Sequence, residues 1–228
     1  MTDSILKFSS RDKLTELVES SIKEENINRV ISTGFKPSEA TQCPRRLVYR
    51  VFGNSPDQNS GVSYLERTND NFLKAKWVEI LGRCRKIKVL KESITVADGN
   101  FNITDIIDFV VNIDGFINAV KIYGVDNKDF SKIQKDGAFK KHVIELMIQI
   151  WLLEVKDGLL VYENKNDQSY TMFHIKPYQP IISSVKKKYL GLMEHKMRGT
   201  LPEKPYKTKT SKECARCDFI KTCWRKTI

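Results

Sequence analysis

Cys214-Ala-Arg-Cys217-Asp-Phe-Ile-Lys-Thr-Cys223, within the last fifteen residues of the 228-residue chain, is a Cys-x2-Cys-x5-Cys run. A further cysteine, Cys43, lies far upstream in Gln42-Cys43-Pro44-Arg45-Arg46. Four thiolates in a 1 + 3 arrangement are what a cubane iron-sulfur cluster or a tetrahedral zinc ion requires. The alternative is that they are ordinary core or surface thiols. Short-spaced cysteine runs are more typical of metal ligands, so we predict one metal centre that links the two ends of the fold.

The ligand spacing favours iron-sulfur over zinc. Zinc sites usually use two close pairs, whereas here the first cysteine stands alone. We therefore expect a 4Fe-4S cluster bound by Cys43, Cys214, Cys217 and Cys223, with zinc as the lesser alternative. Its expected role is structural, because a link between distant positions orders the intervening chain most. Cys84, in a basic run, is taken to lie outside the cluster.

The composition is that of one soluble domain. A chain of 228 residues with 40% hydrophobic residues can bury one sizeable core. No apolar run approaches a membrane span and no signal peptide opens the sequence, so we expect no membrane association. The expected location is the cytoplasm, on the nucleoid, or the host cytoplasm if the protein is viral. In a reducing compartment, cysteines are better metal ligands than disulfide partners.

The positive charge is concentrated at the C-terminal end. Residues 176–228 carry ten of the eleven net positive charges. A basic excess in one segment is typical of a protein that binds a polyanion, most commonly nucleic acid. The alternative is a solvated lysine-rich tail that aids solubility.

Hydrophobic periodicity predicts the secondary structure. Strand-like runs are separated by Asp98-Gly99 and Asp114-Gly115, and Asp-Gly between such runs is a strong hairpin signal, so an antiparallel meander is expected for the first three strands. The predicted strands are Ile87–Val96, Phe101–Ile113, Phe116–Val125, Gly158–Glu163 and Tyr170–Ile175. The predicted helices span residues 9–31, a stretch from Pro37 to Gly53, Tyr64–Leu81, Gly137–Val155 and residues 180–198.

The cysteine pattern and the order α, β, β, β, α, β resemble the iron-sulfur branch of the PD-(D/E)XK nucleases, which includes RecB-like and AddB-type exonucleases and the CRISPR-adaptation nucleases. The segment Tyr162-Glu163-Asn164-Lys165 resembles one common in phage-type members. The resemblance covers residues 37–228 in outline. It implies an α/β (α+β) fold with a PD-(D/E)XK nuclease-like αβββαβ core. We expect a single nuclease-fold domain over 1–228, with an N-terminal helix in 1–36, the core in 37–175 and a basic segment with the cluster ligands in 176–228.

The resemblance also implies a catalytic site. Members hold one or two divalent cations with carboxylates on adjacent strands and use a lysine near the attacking water. Asp108 matches the family aspartate, and Ala119-Val120-Lys121 matches its Glu-x-Lys. Residues two apart on a strand share a face, so positions 119 and 121 are both expected to point toward Asp108. Ala119 stands at the glutamate position, and a methyl group cannot bind magnesium or manganese.

Other family positions have changed as well. Lys74-Ala75-Lys76-Trp77 lacks the histidine that relatives often carry, and the later helix reads His142-x2-Glu145-x3-Gln149. A single engineered change at position 119 explains only one of these departures, whereas natural erosion of the site explains all of them. One alternative is a rearranged metal site built from Asp105, Asp108, Lys121 and Glu145. Another is that Asp108 and Lys121 form only an ion pair at the sheet surface.

These observations predict a DNA-binding protein of replication, recombination or end processing, with catalysis weakened or lost. The alternatives are an active metal-dependent exonuclease or endonuclease, with Mg²⁺ or Mn²⁺, and a protein-interaction module for a replication or recombination protein. Single strands or duplex ends are the expected DNA, because lysines bind phosphates while aromatics stack on unpaired bases. The predicted DNA-binding residues are Arg45, Arg46, Lys165, Lys186, Lys187, Lys188, Lys207 and Lys209.

Overall fold

The fold was analysed in a computed structural model that describes residue 20, residues 34–54 and residues 64–225. The predicted helix over residues 9–31 therefore lies almost entirely outside the described residues.

A five-stranded mixed sheet forms the centre of the protein, with the strands in the order β1-β2-β3-β4-β5. Strands β1 to β3 form the predicted antiparallel meander, β4 runs parallel to β3, and β5 returns antiparallel to β4. The tight turn at Asp114-Gly115 has positive φ at both residues, as a two-residue hairpin requires. The strands are β1 (Ile87–Asp98), β2 (Ile103–Ile113), β3 (Phe116–Val125), β4 (Asp157–Asn164) and β5 (Tyr170–Ile175).

Seven α-helices surround the sheet in the described part of the chain. They are α1 (Pro44–Val51), α2 (Tyr64–Gly82), α3 (Asn127–Asp136), α4 (Lys140–Leu152), α5 (Gln179–Met197), α6 (Lys212–Ala215) and α7 (Ile220–Trp224). The mixed α+β architecture and the predicted strands agree with the sequence analysis. None of these helices combines the length and apolar composition needed to cross a membrane.

Two helix predictions were wrong in detail. The helix predicted over Gly137–Val155 starts later, at Lys140, and the structure has a separate helix, α3, before it. The side chain of Asp126 caps α3 by accepting from the Asp129 backbone N–H at 2.8 Å, and Gly137, at φ +87°, ends it.

The helix predicted from Pro37 to Gly53 is also divided. A 3-10 turn over Pro37–Glu39 precedes α1, and Cys43 occupies the N-cap of α1 instead of lying inside a helix. Pro44 explains this boundary, because proline favours the first helical position and disfavours helical geometry in the residue before it.

Helices cover both faces of the sheet. On one face, Trp77 and Leu81 of α2 pack against Phe109, Val120 and other apolar residues of β2 to β4. On the other face, Leu146 and Ile150 of α4 pack against the opposite side of the same strands. Since both faces of β4 are covered, its central residues Leu159, Leu160 and Val161 are apolar.

A third cluster joins the start of the described chain to its end. The Phe35 ring stacks on Tyr189 of α5 at a centroid separation of 4.8 Å, and Phe35 also forms a β-bridge to Ile103. The Tyr189 hydroxyl donates to the Lys36 carbonyl at 2.7 Å. Residues from three distant parts of the sequence therefore share one core.

Candidate functional site

Asp108 lies where β2 and β3 separate. The ladder between the two strands runs from the Ile113–Phe116 pair to the Phe109–Val120 pair. Beyond that pair, the Ile122 backbone N–H, two residues past Val120, donates to the carboxylate of Asp108, one residue past Phe109, at 3.0 Å (Oδ2). The Asp108 side chain thus replaces a backbone acceptor at the point where the sheet opens, and it is completely buried.

Two lysines contact the same Asp108 oxygen. The ammonium of Lys74, from α2, is 2.9 Å from Asp108 Oδ1, and the ammonium of Lys121, from β3, is 3.4 Å from it. Lys121 also lies 3.4 Å from Glu145 Oε1 of α4. The predicted proximity of Asp108 and Lys121 is therefore present, and Lys74 is a partner that sequence reasoning missed, because no local pattern links residues 34 positions apart.

The neighbouring charges influence the protonation of Lys121 and Glu145. Burial by itself would lower the pKa of Lys121, but the nearby Asp108, Glu145 and Asp105 carboxylates outweigh burial and raise that pKa. Burial raises the pKa of Glu145, against the opposing effects of Lys121 and of the Tyr123 hydroxyl, which donates to Glu145 at 2.6 Å. Lys121 therefore stays charged at neutral pH and cannot act as a general base there.

A neutral histidine supports the Tyr123 ring. His142 stacks on Tyr123 with centroids 3.6 Å apart and planes 8° apart, and its Nδ1 lies 2.9 Å from the Tyr162 hydroxyl. The Phe139 backbone N–H donates to that hydroxyl, so its own proton is directed to His142. Burial, together with the charges of Lys141 and Lys121, lowers the pKa of His142 to about 3.

Ala119 is fully buried in the apolar cluster beneath α4. Ala119 of β3 pairs with Val110 of β2. Because residues two apart on a strand share a face, Ala119 lies on the same face of the sheet as Lys121 and Asp108, as expected. The methyl group supplies no ligand. Among residues 34–54 and 64–225, no three His, Cys, Asp or Glu side chains are grouped so as to hold one metal ion. The residues around Asp108 therefore do not fit a divalent cation.

Gln149 of α4 contacts β2. Gln149 Nε2 donates to Asp105 Oδ2 at 2.5 Å. Asp105 therefore has its own partner on α4, and its charge contributes to the raised pKa of Lys121. The rearranged metal site built from Asp105, Asp108, Lys121 and Glu145 is not formed in this geometry.

A second buried carboxylate lies on β4. Glu163 accepts from the Trp77 indole N–H at 2.8 Å and from the Lys76 ammonium at 2.5 Å, both from α2. Lys74 and Lys76 therefore anchor α2 to two strands through two buried acids. No local pattern links Glu163 to Lys76, since the two residues are 87 positions apart.

The four cysteines of the 1 + 3 pattern line one cavity of about 540 Å³. Cys43 reaches it from the N-cap of α1, and Cys214, Cys217 and Cys223 reach it from the region of α6 and α7. Arg45 lines the same cavity, and its buried Nε has no hydrogen-bond partner among the described residues. Cys84 is exposed, away from this group.

Contacts outside the thiols hold the same two regions together. Arg46 pairs with Asp218 at 2.6 Å, Arg45 donates to the Pro202 carbonyl at 2.8 Å, and the Tyr49 ring stacks on Phe219. We call these contacts, with the cysteine cavity, the clasp. Lys188 contributes from α5 by donating to the Ala40 and Gln42 carbonyls at 2.8 and 2.7 Å. Three predicted DNA-binding residues, Arg45, Arg46 and Lys188, thus make internal contacts.

The other predicted DNA-binding lysines are placed differently. Lys186 lies over the Trp151 ring at 3.9 Å, a cation–π contact. The exposed members are Lys165, Lys187, Lys207 and Lys209. Trp224, which the sequence placed beside Cys223, lines the cysteine cavity and has Lys204 over its ring at 4.3 Å.

Comparison with known proteins identifies the fold. No protein-family model matches the sequence, and no curated protein matches it. Among solved structures, SSO0001 is similar with a TM-score of 0.52 and 17% identity, over 91% of this chain and 94% of that one. The alkaline exonuclease LHK-Exo from Laribacter hongkongensis is similar with a TM-score of 0.56 and 12% identity, over 74% of this chain and 90% of that one. A structure of LHK-Exo in complex with dAMP gives the same TM-score at 10% identity and the same coverage. The chain therefore has an α+β fold similar to that of an alkaline exonuclease.

Proposed function

We propose that this protein binds DNA on an exonuclease-type scaffold, that its metal-dependent cleavage is weakened or lost, and that a 4Fe-4S cluster fixes its C-terminal segment. The Asp108 site carries the proposal. Its buried carboxylate is contacted by two ammonium groups and a backbone N–H, and the neighbouring strand position, where relatives have a glutamate, is a buried alanine. Phosphodiester cleavage with one or two metal ions uses carboxylate oxygens as metal ligands, and both Asp108 oxygens already have partners within the protein.

The similarity to LHK-Exo, one structure of which contains dAMP, supports DNA as the ligand. The charge distribution agrees, since ten of the eleven net positive charges belong to residues 176–228. Of the predicted contacts, the exposed Lys165, Lys187, Lys207 and Lys209 are the ones available to phosphates. Single strands and duplex ends are the proposed substrates, in replication, recombination or end processing.

The clasp supports the proposed cluster. Four cysteines surround one cavity, and a buried Arg45 N–H donor that lines it lacks an acceptor, as expected beside a thiolate-ligated cluster. The spacing of the ligands, with Cys43 alone and the other three cysteines close together in sequence, is the reason for proposing iron-sulfur over zinc.

The test is to measure DNA binding and cleavage on the same anaerobically purified protein. Labelled single strands and blunt duplexes are titrated by fluorescence anisotropy at several salt concentrations, and the same DNA is incubated with Mg²⁺ or Mn²⁺. The expected result is binding that weakens steeply with salt and no cleavage above the Asp108→Asn background. Cleavage that Asp108→Asn abolishes would make the protein an active nuclease. Absence of DNA binding at low salt would leave a protein-interaction scaffold.

A further inference from the structure

The two edges of the sheet differ in their protection against pairing with another strand. One edge is β1, which carries charged side chains of both signs and a register shift between Val89 and Lys91. Charges and bulges on an edge strand keep strands of other chains from pairing with it. The other edge is β5, with the sequence YTMFHI, which has no charged residue and no proline and pairs with β4 in an uninterrupted register. The β5 edge therefore lacks the protection that β1 has.

The backbone groups on the free side of β5 belong to alternate residues. The Asn164 N–H donates to the Ser169 carbonyl at 2.8 Å, so these two residues form a hydrogen-bonded pair. Such pairs recur at every second position of an antiparallel ladder, so Thr171 and Phe173 bond to β4. The N–H and C=O groups that point away from β4 are those of Tyr170, Met172 and His174. Among residues 34–54 and 64–225, no other segment hydrogen-bonds to these groups.

The side chains of the same three residues are exposed on one face of the sheet. Tyr170 is 60% exposed and contacts the Trp77 ring of α2 edge-on, with centroids 5.1 Å apart. Met172 is 41% exposed, and the His174 side chain is 49% exposed, with Nε2 3.5 Å from Asp157. Aromatic and apolar side chains on an uncharged edge strand favour pairing with a further strand, which would cover them.

The charge of the protein indicates where a second copy can approach. The chain carries a net charge of +11, so two copies repel each other. Of the five strands that the structure describes, β5 alone has no charged residue, so two backbones can meet there with little repulsion. When the two Met172 residues lie opposite each other, Tyr170 of each copy pairs with His174 of the other. The same register brings Lys176 of one copy beside Asp167 of the other, and these charges attract.

We propose that β5 pairs antiparallel with β5 of a second copy about a two-fold axis at Met172, which joins the two five-stranded sheets into one. The contact is isologous, because each copy contributes the same residues. Backbone hydrogen bonds between the edges supply its direction, and the short strand keeps the interface small. A weak homodimer follows, with a Kd on the order of 10 μM. This pairing needs no DNA.

The first test is sedimentation equilibrium of the full chain, freed of nucleic acid, at about 1 to 200 μM. The average mass is expected to rise with concentration from 26.4 kDa toward twice that value. Met172→Lys places two ammonium groups opposite each other and is expected to weaken the dimer by at least about tenfold. Met197→Lys is the matched control, because Met197 is 75% exposed on α5 and the variant adds the same charge outside β5. Higher salt is expected to strengthen the dimer, because it screens the repulsion between two positively charged chains.

The second test determines the register by disulfide cross-linking in a Cys84→Ala background, which removes the exposed thiol. Met172→Cys is expected to form a covalent dimer under mild oxidation, because residues that pair directly have Cα atoms about 5.5 Å apart, within disulfide range. His174→Cys is the matched control. In the proposed register the two copies of position 174 lie about 13 Å apart along the strands, so no cross-link is expected. The background protein alone is expected to give no covalent dimer.

A monomer at every concentration would overturn the proposal and leave this edge to a strand of another protein. Equal dimerisation by Met172→Lys and Met197→Lys would overturn it as well, because the contact would then lie away from β5. Association that disappears at high salt would indicate bridging by residual nucleic acid, and a cross-link through His174→Cys but not Met172→Cys would exclude the two-fold at Met172. Should Met172→Lys fail to fold, the cross-linking comparison decides alone.

Discussion

Arg46 and Asp218 are 172 positions apart in the sequence, and their side chains form an ion pair at 2.6 Å. The pair is partly buried, with the carboxylate 13% exposed, so solvent screens it less than a surface pair. It joins α1 directly to the segment between Cys217 and Cys223. The clasp therefore does not depend on the thiols alone.

A double-mutant cycle of Arg46→Ala and Asp218→Ala tests this pair by urea unfolding. The coupling energy is expected to be about 1 to 2 kcal/mol, in the range for interacting partly buried residues. The control cycle uses Arg83 and Glu79, an i,i+4 pair on α2 that is 77% and 65% exposed, for which about 0.3 to 0.5 kcal/mol is expected. Equal couplings in the two cycles would show that the Arg46 pair is an ordinary surface contact.

Cysteine substitutions test the cluster. Replacing Cys43, Cys214, Cys217 or Cys223 by alanine is expected to abolish a broad absorbance near about 400 nm and the bound iron, close to four atoms per chain in the parent. Cys84→Ala is the control, because Cys84 is exposed and does not line the cavity. Zinc in place of iron, or iron retained in all four variants, would contradict the cluster.

The neutral His142 predicts a pH dependence. Its folded pKa of about 3 lies below the ordinary value of 6.5, so below pH 6.5 the unfolded chain binds a proton that the folded protein does not. Stability is therefore complete above about pH 6.5 and is lost as the pH falls, by at most about 1.4 kcal/mol per pH unit. The raised pKa of Glu145 acts in the opposite direction, because the folded protein keeps that proton to a higher pH than the unfolded chain does, so the His142 contribution is isolated by comparison with a variant.

His142→Phe is the variant for this measurement. It keeps an aromatic ring against Tyr123 but has no titrating nitrogen, and it leaves the Tyr162 hydroxyl without its acceptor. The variant is expected to be less stable at pH 7 and to show a shallower decline in unfolding free energy between about pH 6.5 and 5. Parallel profiles for variant and wild type would exclude His142 as the source.

Restoring a carboxylate at position 119 tests the origin of the cleavage defect. Ala119→Glu alone is expected to remain inactive and to lose stability, because the position is fully buried and Lys74 still occupies Asp108. Lys74→Met with Ala119→Glu is expected to gain Mn²⁺-dependent cleavage of labelled single strands. The control, Lys74→Met with Ala119→Gln, has the same shape without the charge. Cleavage by Ala119→Glu alone would show that position 119 is the sole defect.

Gly158→Ala tests the packing beneath α4. An added Cβ would lie 2.8 Å from Ile150 Cδ1 and 3.1 Å from the Ala119 carbonyl oxygen, and the latter belongs to a fixed strand. A loss of about 1 to 3 kcal/mol in unfolding free energy is expected, as for other overpacked cores. Gly82→Ala is the control, since no atom lies within 4 Å of its added Cβ and alanine favours the helix. A neutral Gly158→Ala would show that β4 and α4 readjust freely.

The sheet could be predicted from the sequence because its signals are local. Alternating apolar residues and the Asp114-Gly115 turn identify β2 and β3, and the structure agrees. Helix α3 was missed because its signal is weak, with Phe130 and Ile133 as its buried residues and one capping aspartate. The helix boundary at Cys43 follows from Pro44, a local signal that the apolar periodicity of the segment obscures.

The candidate site was only partly predictable, for a different reason. Asp108 and Lys121 were found by the family resemblance, and their proximity follows from the strand register. Lys74 and Glu163 were not placed in it, because their contacts join α2 to strands far along the chain. The internal contacts of Arg45, Arg46 and Lys188 were missed for the same reason, since charge composition does not distinguish a cation facing solvent from one facing a carbonyl.

The cluster that joins Phe35, Ile103 and Tyr189 has a consequence for biosynthesis. When the nascent chain has left the ribosome only as far as β5, all five strands of the sheet are present. The apolar surface around Phe35 is then not yet covered by α5. Cys43 leaves the exit tunnel long before Cys214, Cys217 and Cys223, the other three proposed cluster ligands. The core around Phe35 can therefore close only after α5 has left the ribosome, and a cofactor bound by all four cysteines can be held only after Cys223 has left it.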